Sequence, residues 1–301
     1  MNADRLVMSA PAKVNLLLKI TGRRDDGYHY LATLMQKITL CDRIVLKKSS
    51  SGINLRCPDS SLPANSENLA YRAAVLFFDT MSTRLDGRPG ADIDLYKSIP
   101  VAAGLGGGSS DAGTLLRGLD RLFNTNCSPE ELIDLGRSLG ADVPFFTVDW
   151  PVAWATGIGD ILQPAEPLAG YVLVVVNPGF SVSTAWVYEN LALTAGKKIF
   201  NLKDFQNGAP VSAPDCQFSR RSIGPDELFN DLESVTAGHY QEINALKQKL
   251  LNAGAVSALM SGSGPTVFGL FPENEKENAV ACCKELKGKF TNTFVVHPRT
   301  S

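Results

Sequence analysis

Apolar residues recur along the chain with two spacings, and the alternation between them lays out its elements. RLVMSAPAKVNLLLKITG reads as an extended run with a kink at Pro11 and an end at Gly22. TLMQKITLCDRIVLKK alternates like two strands joined by a turn near Cys41–Asp42. In NSENLAYRAAVLFFDTMSTRL the period changes: Leu69, Ala73, Leu76 and Phe77 predict a helix, with Ser66 as its expected cap. ADIDLYKSIP is again a strand, and it delivers the chain into PVAAGLGGGSSDAG, residues 100–113. DAGTLLRGLDRLF then sets Leu115, Leu116, Leu119 and Leu122 at helical spacing, with Ser109 or Ser110 where the cap belongs. SPEELIDLGRSLG is a further helix, capped by Ser128, with Pro129 at its first position and Gly140 as its stop. YVLVVVNPG is a buried strand ended by Pro178–Gly179.

From about Ala195 to Gly224 the sequence turns polar and irregular, as a connector does. Beyond it the pattern predicts two helices (DELFNDLESV and YQEINALKQKLLNAG), then strand AVSALM, glycine loop SGSG and strand PTVFGLF. Helix ENEKENAVACCKELK and strand FTNTFVVHP follow. Antiparallel strands alternating with helix pairs predict an α+β fold in two layers. The boundary falls near residue 160, giving domains 1–160 and 161–301.

Composition narrows the class. The 301 residues are 44% hydrophobic and 20% charged, as in a globular protein with a real core. Lys plus Arg number 29 against 31 Asp plus Glu, so there is no basic field and nucleic acid is excluded as the expected partner. The six cysteines, at 41, 57, 127, 216, 282 and 283, show no metal or redox spacing, which predicts a reduced chain. Lys13, Asn15 and Lys19 interrupt the apolar N-terminal stretch, so neither a membrane span nor a signal peptide is predicted and the expected location is cytoplasmic.

The chemistry concentrates in a few stretches. Gly104, Gly106, Gly107 and Gly108 permit backbone angles that a Cβ opposes and let another molecule approach the main chain. A loop of this kind feeding a helix N-terminus is an anion site. GGGSSDA has no lysine where a Walker loop requires one. The loop also lies too far from the first strand for a dinucleotide fingerprint. In PAKVNL, Lys13 and Asn15 are two apart on a strand and share a face. In LGADVPFF, Asp142 sits in apolar company, which is costly unless a cation or donors hold it; with Lys13 it is a candidate base. SGSGPTVFGLF, residues 261–271, fits a tight hairpin or a phosphate-facing loop.

PAKVNL, PxxxGLGGGSSDA and SGSGP, in this order and over nearly the whole chain, resemble the three motifs of the GHMP kinases, the small-molecule kinase superfamily. Within it, PAKVNLLLKITGRRDDGYHYLATLMQ, IPVAAGLGGGSSDA and LGADVPFF are similar to the branch that phosphorylates a cytidine-diphosphate-linked methylerythritol on its 2-hydroxyl, on the non-mevalonate route to isoprenoid precursors. DGYH is the most specific part.

The resemblance implies a ribosomal-protein-like N-terminal domain and a ferredoxin-like C-terminal domain. It implies ATP as phosphoryl donor with Mg2+, whose ligands stay unassigned, and a monomer or homodimer. It implies that Pro100, Val101, Ala102, Ala103, Gly104, Leu105, Gly106, Gly107, Gly108, Ser109 and Ser110 bind ATP, those from Gly104 to Ser110 cradling its phosphates, with Asn68 near the adenosine. Asp142 is then the base, and Lys13 holds it ionised and stabilises charge on the acceptor oxygen. Asn15 bonds the erythritol part, Tyr28 and His29 read the cytosine, and Thr184 and Tyr188 complete the substrate side. Gly113 departs from the family's usual alanine, which predicts a looser first helical turn by up to about 1 kcal/mol. A kinase of another small alcohol, or a non-catalytic ligand sensor on the same scaffold, is the alternative; the presence of both Lys13 and Asp142 favours the enzyme.

Overall fold

The computed structural model describes residues 4–23, 25, 27–58, 62–87, 89–191 and 223–301. The expected connector lies outside the described residues as far as 222. The described chain forms two compact units that interleave along the sequence. The first comprises residues 1–12, 39–101 and 106–150, the second 13–38, 102–105 and 151–301.

Two long strands, β1 (Arg5–Arg23) and β2 (His29–Ser49), run through both units. β1 continues through Pro11 without ending, since proline's fixed φ is compatible with extended backbone. β2 likewise runs on through Cys41–Asp42, where a turn was expected. A charged residue inside an alternating run reads as a turn. Here the Asp42 carboxylate is instead buried, and its needs are met by donors described below.

In the first unit β3 (Ile53–Arg56) pairs in parallel with β4 (Gly90–Tyr96), which pairs antiparallel with residues 43–49 of β2. Helix α1 (Leu69–Thr80) and helix α2 (Gly107–Phe123) pack together over this sheet. Ile44, Leu46, Ile93, Ala73, Phe77, Leu115, Leu116 and Leu119 form the core between them. The cap of α1 is Asn68, not Ser66: its Oδ1 accepts the Ala70 N–H at 3.0 Å. α2 begins earlier than expected, with Gly106 in the capping position, so Ser109 and Ser110 lie inside its first turn. α3 (Pro129–Arg137) carries the expected Ser128 cap, completed by Glu131 as a reciprocal pair. The short α4 (Val143–Thr147) follows, buried throughout.

In the second unit β5 (Val152–Thr156) pairs with residues 33–36 of β2, and β6 (Ile161–Pro164) pairs with β5. β7 (Tyr171–Val176) is followed by α5 (Thr184–Asn190). The helix expected over 226–235 forms only from Glu233 onward. A single turn at Pro225–Glu227 leads to β8 (Phe229–Asn230) and then α6 (Glu233–His239). Tertiary pairing overrides the local propensity: β8 lies parallel to Leu17–Leu18, and the Asp231 carboxylate accepts the Ile20 N–H at 2.7 Å.

Helix α7 (Gln241–Asn252), β9 (Ser257–Met260), β10 (Val267–Pro272), helix α8 (Lys276–Lys287) and β11 (Thr293–Val296) close the chain. β11, β7, β10 and β9 form, in that order, an antiparallel sheet covered by α7 and α8. Val172, Val174 and Val176 meet Leu246, Leu250 and Leu286 there. This is the expected α+β architecture. Among the described residues no helix is long and apolar enough to cross a membrane.

Candidate active site

The candidate residues form two groups, each within one unit. In the second unit the alternation of β1 puts Lys13 and Asn15 on one face, and both are buried. Lys13 Nζ donates to Asn15 Oδ1 at 2.6 Å. Asn15 Nδ2 donates to Thr33 Oγ1 at 2.8 Å, and that hydroxyl donates to the Leu17 carbonyl at 2.6 Å. The asparagine is thus fixed from β2, and it presents its carbonyl oxygen to the ammonium. A buried ammonium needs such acceptors, because taking it from water without them is expensive.

The two glycine-rich stretches meet beside this pair. The Ser261 hydroxyl accepts the Asn15 N–H at 3.3 Å and donates to the Gly104 carbonyl at 2.9 Å. The Lys13 N–H donates to the Leu105 carbonyl at 2.9 Å. Gly104 has φ +75°. A Cβ on it would stand 2.3 Å from the Ser261 carbonyl oxygen, so only glycine fits. Gly262 has φ +59° and faces the pair: a Cβ there would be 3.3 Å from Asn15 Oδ1 and 3.6 Å from Lys13 Nζ. SGSG is therefore more than a hairpin turn. Asn230 Nδ2, from β8, holds it by donating to the Met260 and Gly262 carbonyls, each at 2.8 Å.

α5 brings Thr184 and Tyr188 onto one helical face, one turn apart. Thr184 Oγ1 lies 2.9 Å from Ser263 Oγ, tying the start of the helix to the same glycine stretch. The Tyr188 ring stacks on His29, centroids 5.2 Å apart. Burial foremost, and then the Arg23 charge, lower the His29 pKa, so its imidazole is neutral at pH 7. Tyr28 is 63% exposed and Leu31 8%: the leucine pins this segment to the core and the tyrosine does not.

In the first unit the N-terminus of α2 leaves backbone N–H groups outside the helical ladder, an arrangement that can receive an anion. Ser110 N–H makes the first helical bond, to the Gly106 carbonyl at 2.8 Å, so the N–H groups of Gly107, Gly108 and Ser109 precede the ladder. A Cβ on Gly108 would meet nothing within 4 Å, whereas one on Gly107 would stand 3.0 Å from Ile99 Cγ2. Gly108 thus marks the open side of the turn and Gly107 the packed side. Pro100 and the exposed Val101 lead into the loop. Ala102–Leu105 belong to the second unit, with Ala103 and Leu105 buried and Ala102 at φ 52°.

Asn68 already has structural duties: besides capping α1 it donates to the Pro63 carbonyl at 2.9 Å. Asp142 precedes α4, half-buried, and its carboxylate does not cap that helix.

Sequence reasoning passed over a buried ionic cluster in this unit. Lys97, the last residue before the loop approach, donates to Asp42 Oδ2 and, at 2.5 Å, to Asp111 Oδ2. Asp42 Oδ1 also accepts the Ser98 and Ile99 N–H groups, at 2.5 and 2.9 Å. Burial, and less so Asp42, push the Asp111 carboxyl up to about 8 against the pull of Lys97. The clue available in the sequence was the pair of charged residues, Lys97 and Asp111, flanking a glycine-rich run.

Residues 68–149 match the family model described as GHMP kinases N terminal domain, and residues 219–287 match GHMP kinases C terminal. The chain is 44% identical over 290 residues to the 4-diphosphocytidyl-2-C-methyl-D-erythritol kinase of Desulfotalea psychrophila, covering 96% of this chain and 93% of that one. It is 46% identical over 273 residues to the enzyme of the same name from Syntrophotalea carbinolica, covering 90% and 91%. A crystal structure of 4-(cytidine 5'-diphospho)-2C-methyl-D-erythritol kinase superposes with TM-score 0.76 at 33% identity, over 97% of this chain and 98% of that one.

Proposed function

Since the chain belongs to the 4-diphosphocytidyl-2-C-methyl-D-erythritol kinases of the GHMP superfamily, we propose that it moves the γ-phosphoryl group of ATP onto the 2-hydroxyl of 4-diphosphocytidyl-2-C-methyl-D-erythritol. The observation that carries the chemistry is the buried Lys13–Asn15 pair, held by Ser261 and beside Gly104 and Gly262. The reaction needs its phosphates cradled, charge neutralised and the acceptor oxygen aimed. The N–H groups at the start of α2 and the glycines from Gly104 to Gly108 cradle the phosphates, the helix adding favourable partial charge. Asp142 takes the proton of the acceptor hydroxyl, and Lys13 stabilises the charge that builds on that oxygen. Asn15, its orientation set by Thr33, positions the erythritol part.

His29, neutral at pH 7, hydrogen-bonds the polar edge of cytosine, and the Tyr28 and Tyr188 rings supply stacking surface. Thr184 contacts the same substrate. Asn68 stays near the adenosine, as the start of α1 requires it to be fixed.

Mg2+ accompanies ATP in this reading. Ser110 Oγ is buried with no hydrogen-bond partner among the described residues, and a hard oxygen at the first turn of α2 fits that ion. When bound, the ion neutralises phosphate charge; the residues that would hold it are Ser110 and the phosphate oxygens themselves. Domains 1–160 and 161–301 are proposed only as a division along the sequence, with the matched stretches 68–149 and 219–287 inside them; the compact units cross that boundary, since residues 13–38 and 102–105 belong with 151–301.

Nucleotide consumption with the cytidine substrate, against mevalonate, homoserine and galactose, tests the reading. Turnover with the cytidine compound alone is expected. Equal or greater turnover with another alcohol, or none with any, overturns it.

A further inference from the structure

Asp42 lies in the middle of β2, 1% exposed, and takes no part in the groups assigned above. It nevertheless reaches the first turn of α2 by two routes. Through its Oδ1 it holds the Ser98 and Ile99 N–H groups, and Ile99 is the side chain that packs against Gly107. Through its Oδ2 it holds Lys97, whose ammonium donates onward to Asp111, the fifth residue of α2, directly after that turn. The ammonium itself would lie 3.6 Å from a Cβ on Gly107. A buried carboxylate accepting three donors is costly to remove from water unless all of them are kept. Each donor stands on the short segment that leads into the glycine loop.

We propose that Asp42 is a positioning residue for ATP: it fixes the Lys97–Ile99 segment and, through it, the N-terminal turn of α2 in the conformation that receives the phosphates. The inference rests on the ATP-dependent reading of that turn. It assigns Asp42 no contact with either substrate.

The test is steady-state kinetics on the full chain with ATP and the cytidine substrate varied separately. Asp42→Asn keeps an acceptor for the two backbone N–H groups but confronts Lys97 with a neutral amide. It is expected to raise the KM for ATP about tenfold or more, with the KM for the cytidine substrate within about twofold of wild type. A purely structural role would lower the melting temperature and the active fraction without separating the two constants. A folded variant whose two KM values rise together, or whose ATP constant is unchanged, overturns the proposal. Should Asp42→Asn not fold, Asp42→Glu keeps the charge while its longer stem cannot meet Ser98 and Ile99 in place; the same separation is expected, and its absence is equally fatal. If the wild type turns over no substrate, the functional reading fails first. Calorimetric ATP binding by wild type and variant then decides on Asp42 separately: about tenfold weaker binding by the variant supports the role, and equal affinity refutes it.

Discussion

Two side chains carry expectations of their own. The ring of His29 is neutral and stacked on Tyr188, and Tyr28 is exposed beside it. Stacking a base on a ring contributes roughly 1–3 kcal/mol, and an unmade edge hydrogen bond costs a similar amount. His29→Ala should therefore raise the KM for the cytidine substrate about tenfold or more and leave that for ATP unchanged. Replacing cytosine by uracil should harm wild type far more than this variant; equal harm to both would remove His29 from base recognition. Asp111 tests electrostatics instead. Its folded pKa, about 8, stands above the ordinary 3.8, so the native state keeps a proton that the unfolded chain releases. The stability this contributes is fully present below about pH 4 and is lost as pH rises to about 8. Asp111→Asn cannot lose it. Its advantage over wild type in denaturant midpoint should grow between pH 4 and 8 and level off above; a constant difference would refute the assignment. Lys13 and Asn15 were legible because a period of two fixes a shared face. Asp42 was not, because its three donors come from a segment more than fifty residues away, and no local pattern announces them.

At the scale of elements, Gly113 shows how a helix is set by what it packs against. Propensity alone predicts that alanine would firm the first turns of α2. A Cβ at that position would stand 2.7 Å from Phe146 Cβ and 2.9 Å from the Val143 carbonyl oxygen, both in α4. Glycine is therefore the residue that lets α4 approach, and α4 begins directly after Asp142. Gly113→Ala should destabilise the protein by about 1–3 kcal/mol despite the better propensity, as overpacking does. The kcat should fall with it, through displacement of Asp142. Chemical denaturation and kinetics together check this; a variant more stable than wild type would show that α4 yields without cost. Elements with a long, uncontested period (α1, α2, α7, α8) were readable in sequence. The stretch 226–235 was not: Phe229–Asn230 take a ladder place beside Leu17–Leu18, and that partner lies more than two hundred residues earlier.

At the scale of the molecule, the interleaving of the two units governs what can be cut apart. The second unit draws residues 13–38 from one end of the sequence and 151–301 from the other. Leu17, Leu18, Leu34, Met35 and Ile38 are buried contributions from its early part. A fragment of residues 161–301 should therefore hold helix and strand but show no single cooperative melting transition. Adding residues 1–160 in trans should restore it. A fragment melting as cooperatively as the intact chain would count against the interdependence. Sequence patterns could not reveal this, since they read neighbours along the chain. The same arrangement sets a schedule at the ribosome. Synthesis at about 5–20 residues per second leaves the early strand segments on the order of ten to fifty seconds old before β9, β10 and β11 emerge. Through that interval Leu16, Leu17, Leu18 and Met35 have left the exit tunnel without the later half of their unit. The nascent chain thus carries these apolar strand residues uncovered by their later partners, and slow codons late in the message would lengthen that exposure.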